Sequence, residues 1–279
     1  MFVWLASYPK SGNTLTRSML ASYFFTDEGN YDFNLLQNIL QFPEIHLFKK
    51  LGINIKNEKE VIKNYVKAQE LINKKNSIQF MKTHSYLFNI DNNPFTDLNN
   101  SLGVIYIVRD PRNVLISAAN HNQKSHEEVS DDMINGNILR KKDGSKLIVY
   151  AGTWSGNFNS WKSFKSVNKY FLIKYEDLIK DKEKCFFEIL KFIHDLKKIE
   201  FVINKKKFKN VLLNTDFKIM QKLEDEKGFE ESMVNEHTGK KVKFFNLGSK
   251  TDWKNLLNIE LQNKIQKSFE REMIELNYL

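Results

Sequence analysis

Phe2-Val3-Trp4-Leu5-Ala6, running into Ser7-Tyr8-Pro9-Lys10-Ser11-Gly12-Asn13-Thr14, is the stretch that decides the fold. Five apolar residues in a row fit a strand buried on both faces. Tyr8-Pro9 and Gly12 break the run, and Met19, Leu20 and Tyr23 then resume at helical spacing. The order is strand, phosphate-sized loop, helix. In such a turn several backbone N–H groups and the positive end of the helix converge on one anion, and Lys10 adds a full charge. The lysine precedes the loop's only glycine, whereas an ATP–magnesium loop sets Lys-Ser/Thr directly after the second of two glycines. An ordinary ATP–magnesium site is therefore not expected, and a purely structural Pro-Lys-Ser-Gly turn is the alternative.

Working outward, Phe80-Met81 leads into Lys82-Thr83-His84, and Val104-Ile105-Tyr106-Ile107-Val108 stops at Arg109-Asp110-Pro111. Tyr170-Phe171-Leu172-Ile173 enters Tyr175-Glu176-Asp177 in the same manner. Val114, Leu115 and Ala118 after Pro111 predict a helix. Strands alternating with helices imply an α/β domain with a mostly parallel sheet and active groups at the strand C-termini. Three polar stretches interrupt the pattern: 54–76, 125–145 and 222–243. The last two read as surface loops or lids, punctuated by Gly136, Gly144, Gly228 and Gly239.

The 279 residues, 41% apolar, can bury one large core, so a single domain spanning 1–279 is expected. Lys and Arg outnumber Asp and Glu by 43 to 34, which suits an anionic partner. The runs Lys74-Lys75-Asn76 and Lys205-Lys206-Lys207-Phe208-Lys209-Asn210 lack the interleaved aromatics of a nucleic-acid platform, so they read as solvated faces and no nucleic-acid partner is expected. Cys185 is the only cysteine, which excludes an intrachain disulfide and suits a reducing compartment. Phe2 to Ala6 is too short for a signal peptide or membrane span, and no later run approaches the ~20 residues needed, so no integral membrane contact and a cytoplasmic location are expected.

Tyr8-Pro9-Lys10-Ser11-Gly12-Asn13-Thr14 resembles the 5′-phosphosulfate loop of the cytosolic-type sulfotransferases, which use 3′-phosphoadenylyl sulfate (PAPS) and release 3′,5′-adenosine bisphosphate (PAP). Tyr106 to Ser117 resembles the family's 3′-phosphate motif, with Arg109 and Ser117 at the family's separation of eight residues. Lys82-Thr83-His84 is similar to its catalytic segment, Gly152-Thr153-Trp154 to its Gly-Ser-Trp segment, and Lys174-Tyr175-Glu176-Asp177-Leu178 to the segment whose tyrosine contacts adenine. Thr215-Asp216-Phe217-Lys218-Ile219-Met220 matches a stretch lining the adenine pocket. Gly248-Ser249-Lys250-Thr251-Asp252-Trp253-Lys254 partly matches the loop that closes over the 3′-phosphate.

The resemblance implies a P-loop-like three-layer αβα fold with a central, mostly parallel sheet of about five strands. It makes His84 the base that removes the acceptor's proton, with Lys10 and Lys82 stabilising charge on the sulfonate and the departing oxygen. Lys10, Ser11, Gly12, Asn13, Thr14, Leu15, Arg109, Ser117, Tyr175, Thr215, Phe217, Met220, Gly248 and Lys250 would hold the donor, and the scheme requires no metal. Leu15 stands where many members carry an adenine-stacking tryptophan, which shifts stacking toward Phe217. Asn246 and Leu247 stand where the family has Arg and Lys, so the phosphate clamp falls to Lys250 or Lys243. The acceptor is expected to be a small hydroxyl or amine compound, and Tyr23, Phe24, Phe25, Phe33, Phe42, Tyr86 and Phe88 would form a wall for it, although an aromatic core would look identical. Two other readings stay open: a phosphoryl transferase on the same scaffold, and a non-catalytic nucleotide or polyanion binder. The vertebrate dimerisation motif is not matched after Lys254, so oligomeric state is not implied.

Overall fold

The computed structural model describes residues 1–74, 77–139, 147–235 and 238–279. Lys75 and Asn76 of the first polar stretch, 140–145 of the second, with Gly144, and 236–237 of the third lie outside them. Strands β1 (Phe2–Ser7), β2 (Leu40–Gln41), β3 (Gln79–Thr83), β4 (Ser101–Val108) and β5 (Tyr170–Lys174) form one parallel sheet in the order β2-β3-β1-β4-β5. The four strands expected from apolar runs are all present. The fifth, β2, is a two-residue edge strand too short to leave a pattern. In register, Ala6 of β1 lies between Thr83 and Tyr106, so the central strands end side by side.

Alternation along β1 explains the layers. Trp4 and Ala6 face one core with Met81, Val104 and Tyr106, while Val3 and Leu5 face another with Phe80, Ile105 and Ile107. With both faces apolar, the sheet must be covered twice. Helices α1 (Asn13–Phe24), α2 (Pro111–Asn122), α3 (His126–Asn135), α4 (Trp154–Trp161), α5 (Lys182–Lys197), α6 (Phe217–Lys227) and α7 (Ile259–Glu275) provide the cover. Met19 of α1, Ile189 of α5 and Met220 of α6 enter the Val3–Leu5 core, whereas Leu115 of α2, Phe158 of α4 and Phe269 of α7 enter the Trp4 core. Trp4 itself sits 5.3–6.0 Å, centroid to centroid, from Phe2, Phe42, Phe95 and Trp161, and its indole N–H donates to Ser101 Oγ at 2.8 Å. The result is the three-layer αβα arrangement that the family resemblance implied.

Two expectations need correction. Residues 126–135 are helix rather than loop, because Ser125 Oγ accepts the Glu128 N–H while the Glu128 carboxylate reaches back to the Ser125 N–H. The polar stretch from Asn54 contains two short helices, Glu58–Lys63 and Tyr65–Glu70, and the stretch from Lys222 continues α6 to Lys227 before Gly228 ends it. Of the seven aromatic residues expected to form either an acceptor wall or core, Tyr23, Phe42 and Phe88 are buried in the core, and Phe25 is exposed. Among the described residues no helix is long and apolar enough to cross a membrane.

Candidate active site

β1, β3 and β4 each deliver a functional segment from the same edge of the sheet. After β1 the chain turns through Lys10, at φ 65°, and Gly12, at φ 101°, to start α1. Glycine is required at position 12 twice over: by its left-handed backbone, and because a Cβ there would lie 2.4 Å from the Tyr175 ring. No side chain caps α1, so its first N–H groups are available to an anion. The Asn13 side chain serves the loop itself, donating to Leu5 O at 2.9 Å and Ser7 Oγ at 3.2 Å.

Lys10 points inward. Its ammonium lies 3.6 Å from the centroid of the Phe244 ring and has no hydrogen-bond partner among the described residues. Burial pushes its pKa down to about 7, helped by Lys82 and Arg109 and opposed by Glu231 and Glu224. Ser11 Oγ, Arg17 Nε, Arg109 Nε and His121 Nδ1 are likewise buried and unpartnered among the described residues. Buried polar atoms are normally satisfied, and these cluster around one loop. Their positive and donor character fits a phosphorylated, sulfonated ligand.

His84 follows β3 directly. Its Nδ1 lies 2.9 Å from the Ser7 carbonyl oxygen, which can only accept, so Nδ1 carries the proton and Nε2 is left as the basic nitrogen. Desolvation, with Lys82 next, lowers the imidazole pKa to about 3, so it is neutral at physiological pH. The His84 backbone is fixed by Asn157, whose amide donates to His84 O at 2.9 Å and Ala151 O at 2.8 Å while its Oδ1 accepts from Tyr106 O–H at 2.7 Å. Trp161 Nε1 adds a bond to Ser85 O at 3.0 Å. Lys82, two residues before His84 and 5% exposed, places Nζ 2.8 Å from Glu231 Oε1.

Arg109 directly follows β4 and is buried. It is not paired with Asp110, which binds Arg112 instead at 2.6 Å and caps α2, with Pro111 at the first helical position. Its guanidinium lies 4.4 Å over the Tyr175 ring and donates to Lys10 O and Gly248 O, each at 3.3 Å. Thus the phosphosulfate-like loop, the Arg109 segment, Tyr175 and the Gly248 loop meet. Burial lowers the Arg109 pKa, but nearby Tyr175, Glu176 and Asp110 oppose this.

The remaining residues divide. Leu15 and Phe217 pack against the same core, and a Cβ on Gly248 would lie 2.5 Å from Phe217, so the loop runs directly over that ring. Met220 is buried in this core. Thr215 is fully buried with its hydroxyl committed to Val211 O. Ser117 is half-buried on α2. Lys250 is exposed, and Lys243 is engaged with Asp225 at 2.8 Å. Trp154 is core, packed on Phe158 and Phe269.

Sequence reasoning missed Arg17, His121 and Glu231. Arg17 is three residues after Thr14 on α1, and His121 is four after Ser117 on α2, so helical spacing puts each on the same face as a residue already singled out. Glu231 comes from 217 positions beyond Thr14 and leaves no local signal. Its burial would raise its pKa, but Arg17 and Lys82 outweigh that and hold it well below the usual carboxylate range.

The sulfotransferase domain family model matches residues 2–277, and the chain belongs to that family. A guinea pig 3-beta-hydroxysteroid sulfotransferase is 25% identical over 170 residues, 61% of this chain and 55% of the relative. Human sulfotransferase 1E1 is 25% identical over 97% of this chain and 83% of its own length. The chain therefore spans about half of the first relative and most of the second. The crystal structure of mouse sulfotransferase SULT7A1 complexed with PAP superposes with a TM-score of 0.57 at 18% identity, covering 97% of this chain and 83% of that one, which shows the shared fold.

Proposed function

We propose that residues 1–279 work as one catalytic unit that transfers a sulfonate group from PAPS to a hydroxyl or amine of a small-molecule acceptor. The observation that carries this reading is that three adjacent strand ends deliver buried Lys10 with Arg109 bonded to its carbonyl, and Lys82 with a neutral His84 whose protonated Nδ1 leaves Nε2 as the basic nitrogen. The donor supplies an activated sulfonate attached to a phosphate oxygen. His84 Nε2 removes the acceptor's proton as the acceptor oxygen or nitrogen bonds to sulfur and the bond to the phosphate oxygen breaks. Lys10 and Lys82 stabilise the charge on the sulfonate and on that oxygen, as cations do in phosphoryl transfer. Arg109, backed by Tyr175 and Gly248, holds the 3′-phosphate with charged donors, and Ser117 adds a hydroxyl. Ser11, Gly12, Asn13 and Thr14 offer backbone N–H groups to the 5′-phosphate. Leu15, Phe217 and Met220 enclose the adenine, with Thr215 shaping the turn into α6. With Lys243 engaged elsewhere, Lys250 is the lysine best placed in sequence to follow the Gly248 loop onto the 3′-phosphate. The unpaired Cys185 fits a reducing compartment, so we take the reaction to run in the cytoplasm.

Melting the protein with PAP, PAPS and ATP plus magnesium tests the reading. Ligand at ~100 times its dissociation constant adds about 2.7 kcal/mol, a shift of several degrees for a chain this size. Shifts with PAP and PAPS but not with ATP are expected. A shift with ATP and magnesium alone would turn the reading to phosphoryl transfer, and no shift with any of them would end the nucleotide reading.

A further inference from the structure

Glu231 Oε1 is held by two cations at once, Arg17 Nη2 at 2.7 Å and Lys82 Nζ at 2.8 Å, while Oε2 accepts from Thr14 Oγ1 at 3.2 Å. Three features make this more than an ordinary ion pair. Arg17 is only 3% exposed, and its Nε has no partner among the described residues, so one carboxylate oxygen does not exhaust its donors. Lys10 also feels Glu231, so among the described residues Arg17, Lys82 and Lys10 all face this one carboxylate. Finally, Thr14 belongs to the phosphosulfate-like loop and Lys82 to the segment before His84, so the carboxylate oxygens mark anion positions inside the proposed donor site. We propose that Arg17 is a further catalytic residue, which together with Lys82 binds a sulfonate oxygen of the donor at the point now held by Glu231 Oε1, and that Glu231 is an internal anion exchanged for it. This rests on the reading of Lys10 and Lys82 as the sulfonate-facing lysines.

The exchange is local. The segment carrying Glu231 has its own anchor: Glu224 accepts from Ser232 Oγ at 2.7 Å and from the Phe244 and Phe245 N–H groups at 2.7 and 2.9 Å. Phe33 packs on Phe229 and Phe245 beside it. Glu231 can therefore give up its contacts without releasing the segment, and neutralising it leaves the anchor intact. When Glu231 withdraws, Arg17 keeps Thr14 Oγ1 at 3.2 Å, so the guanidinium remains aimed at the loop.

PAP and PAPS differ in the sulfonate, and the test uses that difference. Calorimetric titrations of both ligands are run on the wild type, Arg17→Met and Glu231→Gln. Losing one charge-assisted hydrogen bond corresponds to a change of about tenfold or more, so Arg17→Met should weaken PAPS by that factor and PAP by less than about threefold. Glu231→Gln should tighten PAPS by about tenfold, because a competing anion has gone. This second variant decides the matter if Arg17→Met does not fold. Equal losses of PAP and PAPS in Arg17→Met would overturn the inference, as would a Glu231→Gln protein that melts lower with PAPS affinity unchanged or reduced. If the wild type itself binds neither ligand, the donor reading fails and takes this inference with it.

Discussion

Lys10 provides the most demanding prediction, because its pKa of about 7 places it half-charged near neutral pH before any ligand arrives. The charged groups setting that value are Lys82 and Arg109 on one side and Glu231 and Glu224 on the other, beneath the dominant effect of burial. A bound phosphate holds the ammonium charged, so affinity follows the protonated fraction of the free protein. That fraction is about one half at pH 7 and about one hundredth at pH 9, so PAP affinity should fall roughly fiftyfold across the interval, about 2.3 kcal/mol. His84 and His121, both lowered to about 3 chiefly by burial, stay neutral throughout and add nothing to the slope. Calorimetry in buffers of different ionisation enthalpy gives a second reading of the same quantity: near pH 8.5, roughly one proton should be taken up per PAP bound. Lys10→Arg, which stays charged, should flatten the profile and abolish the uptake. A flat wild-type profile from pH 7 to 9, or an unchanged one in Lys10→Arg, would refute the account.

Other consequences are simpler to check. His84→Ala should abolish sulfonate transfer while PAP binding survives, and unchanged turnover would remove His84 as the base. Arg109→Ala should weaken PAP by at least about tenfold, with adenosine 5′-phosphate much less affected; equal losses would detach Arg109 from the 3′-phosphate. Gly12→Ala forces a methyl into the Tyr175 ring at a positive φ, so it should lower stability by about 1–3 kcal/mol in chemical denaturation and weaken PAP as well. Trp154→Ala should destabilise by about 3–5 kcal/mol with the affinity of the remaining folded protein for PAP unaltered, as befits a core residue.

The sheet was legible because its central strands are continuous apolar runs that end at turn-formers: Leu5-Ala6 before Pro9, and Ile107-Val108 before Pro111. Edge strand β2 was not, since two residues paired only to β3 carry no periodicity. Helix α3 was not expected although Ser125 and Glu128 have the spacing of a capping box, because Gly136 and Gly144, which follow it, suggested a loop. In the site, motif-bearing loops read well because they are contiguous in sequence. Arg17 and His121 were overlooked because a single polar residue on a helix ordinarily faces water, and only its offset from Thr14 or Ser117 says otherwise. Glu231 depends on tertiary folding alone. The aromatic residues were ambiguous for a different reason: an aromatic side chain satisfies a core as well as a ligand pocket, and Phe42 takes the former, packed against Trp4, Tyr65 and Phe95.

Tyr175 touches Gly12 on the first loop and carries Arg109 above its ring, while Arg109 also grips the Lys10 carbonyl. The two ends of a bisphosphate would thus rest on a single aromatic plate, with a fixed span between them. Such a plate works as a gauge of length: a nucleotide with its two anionic groups at another separation can satisfy one loop only by pulling on the other.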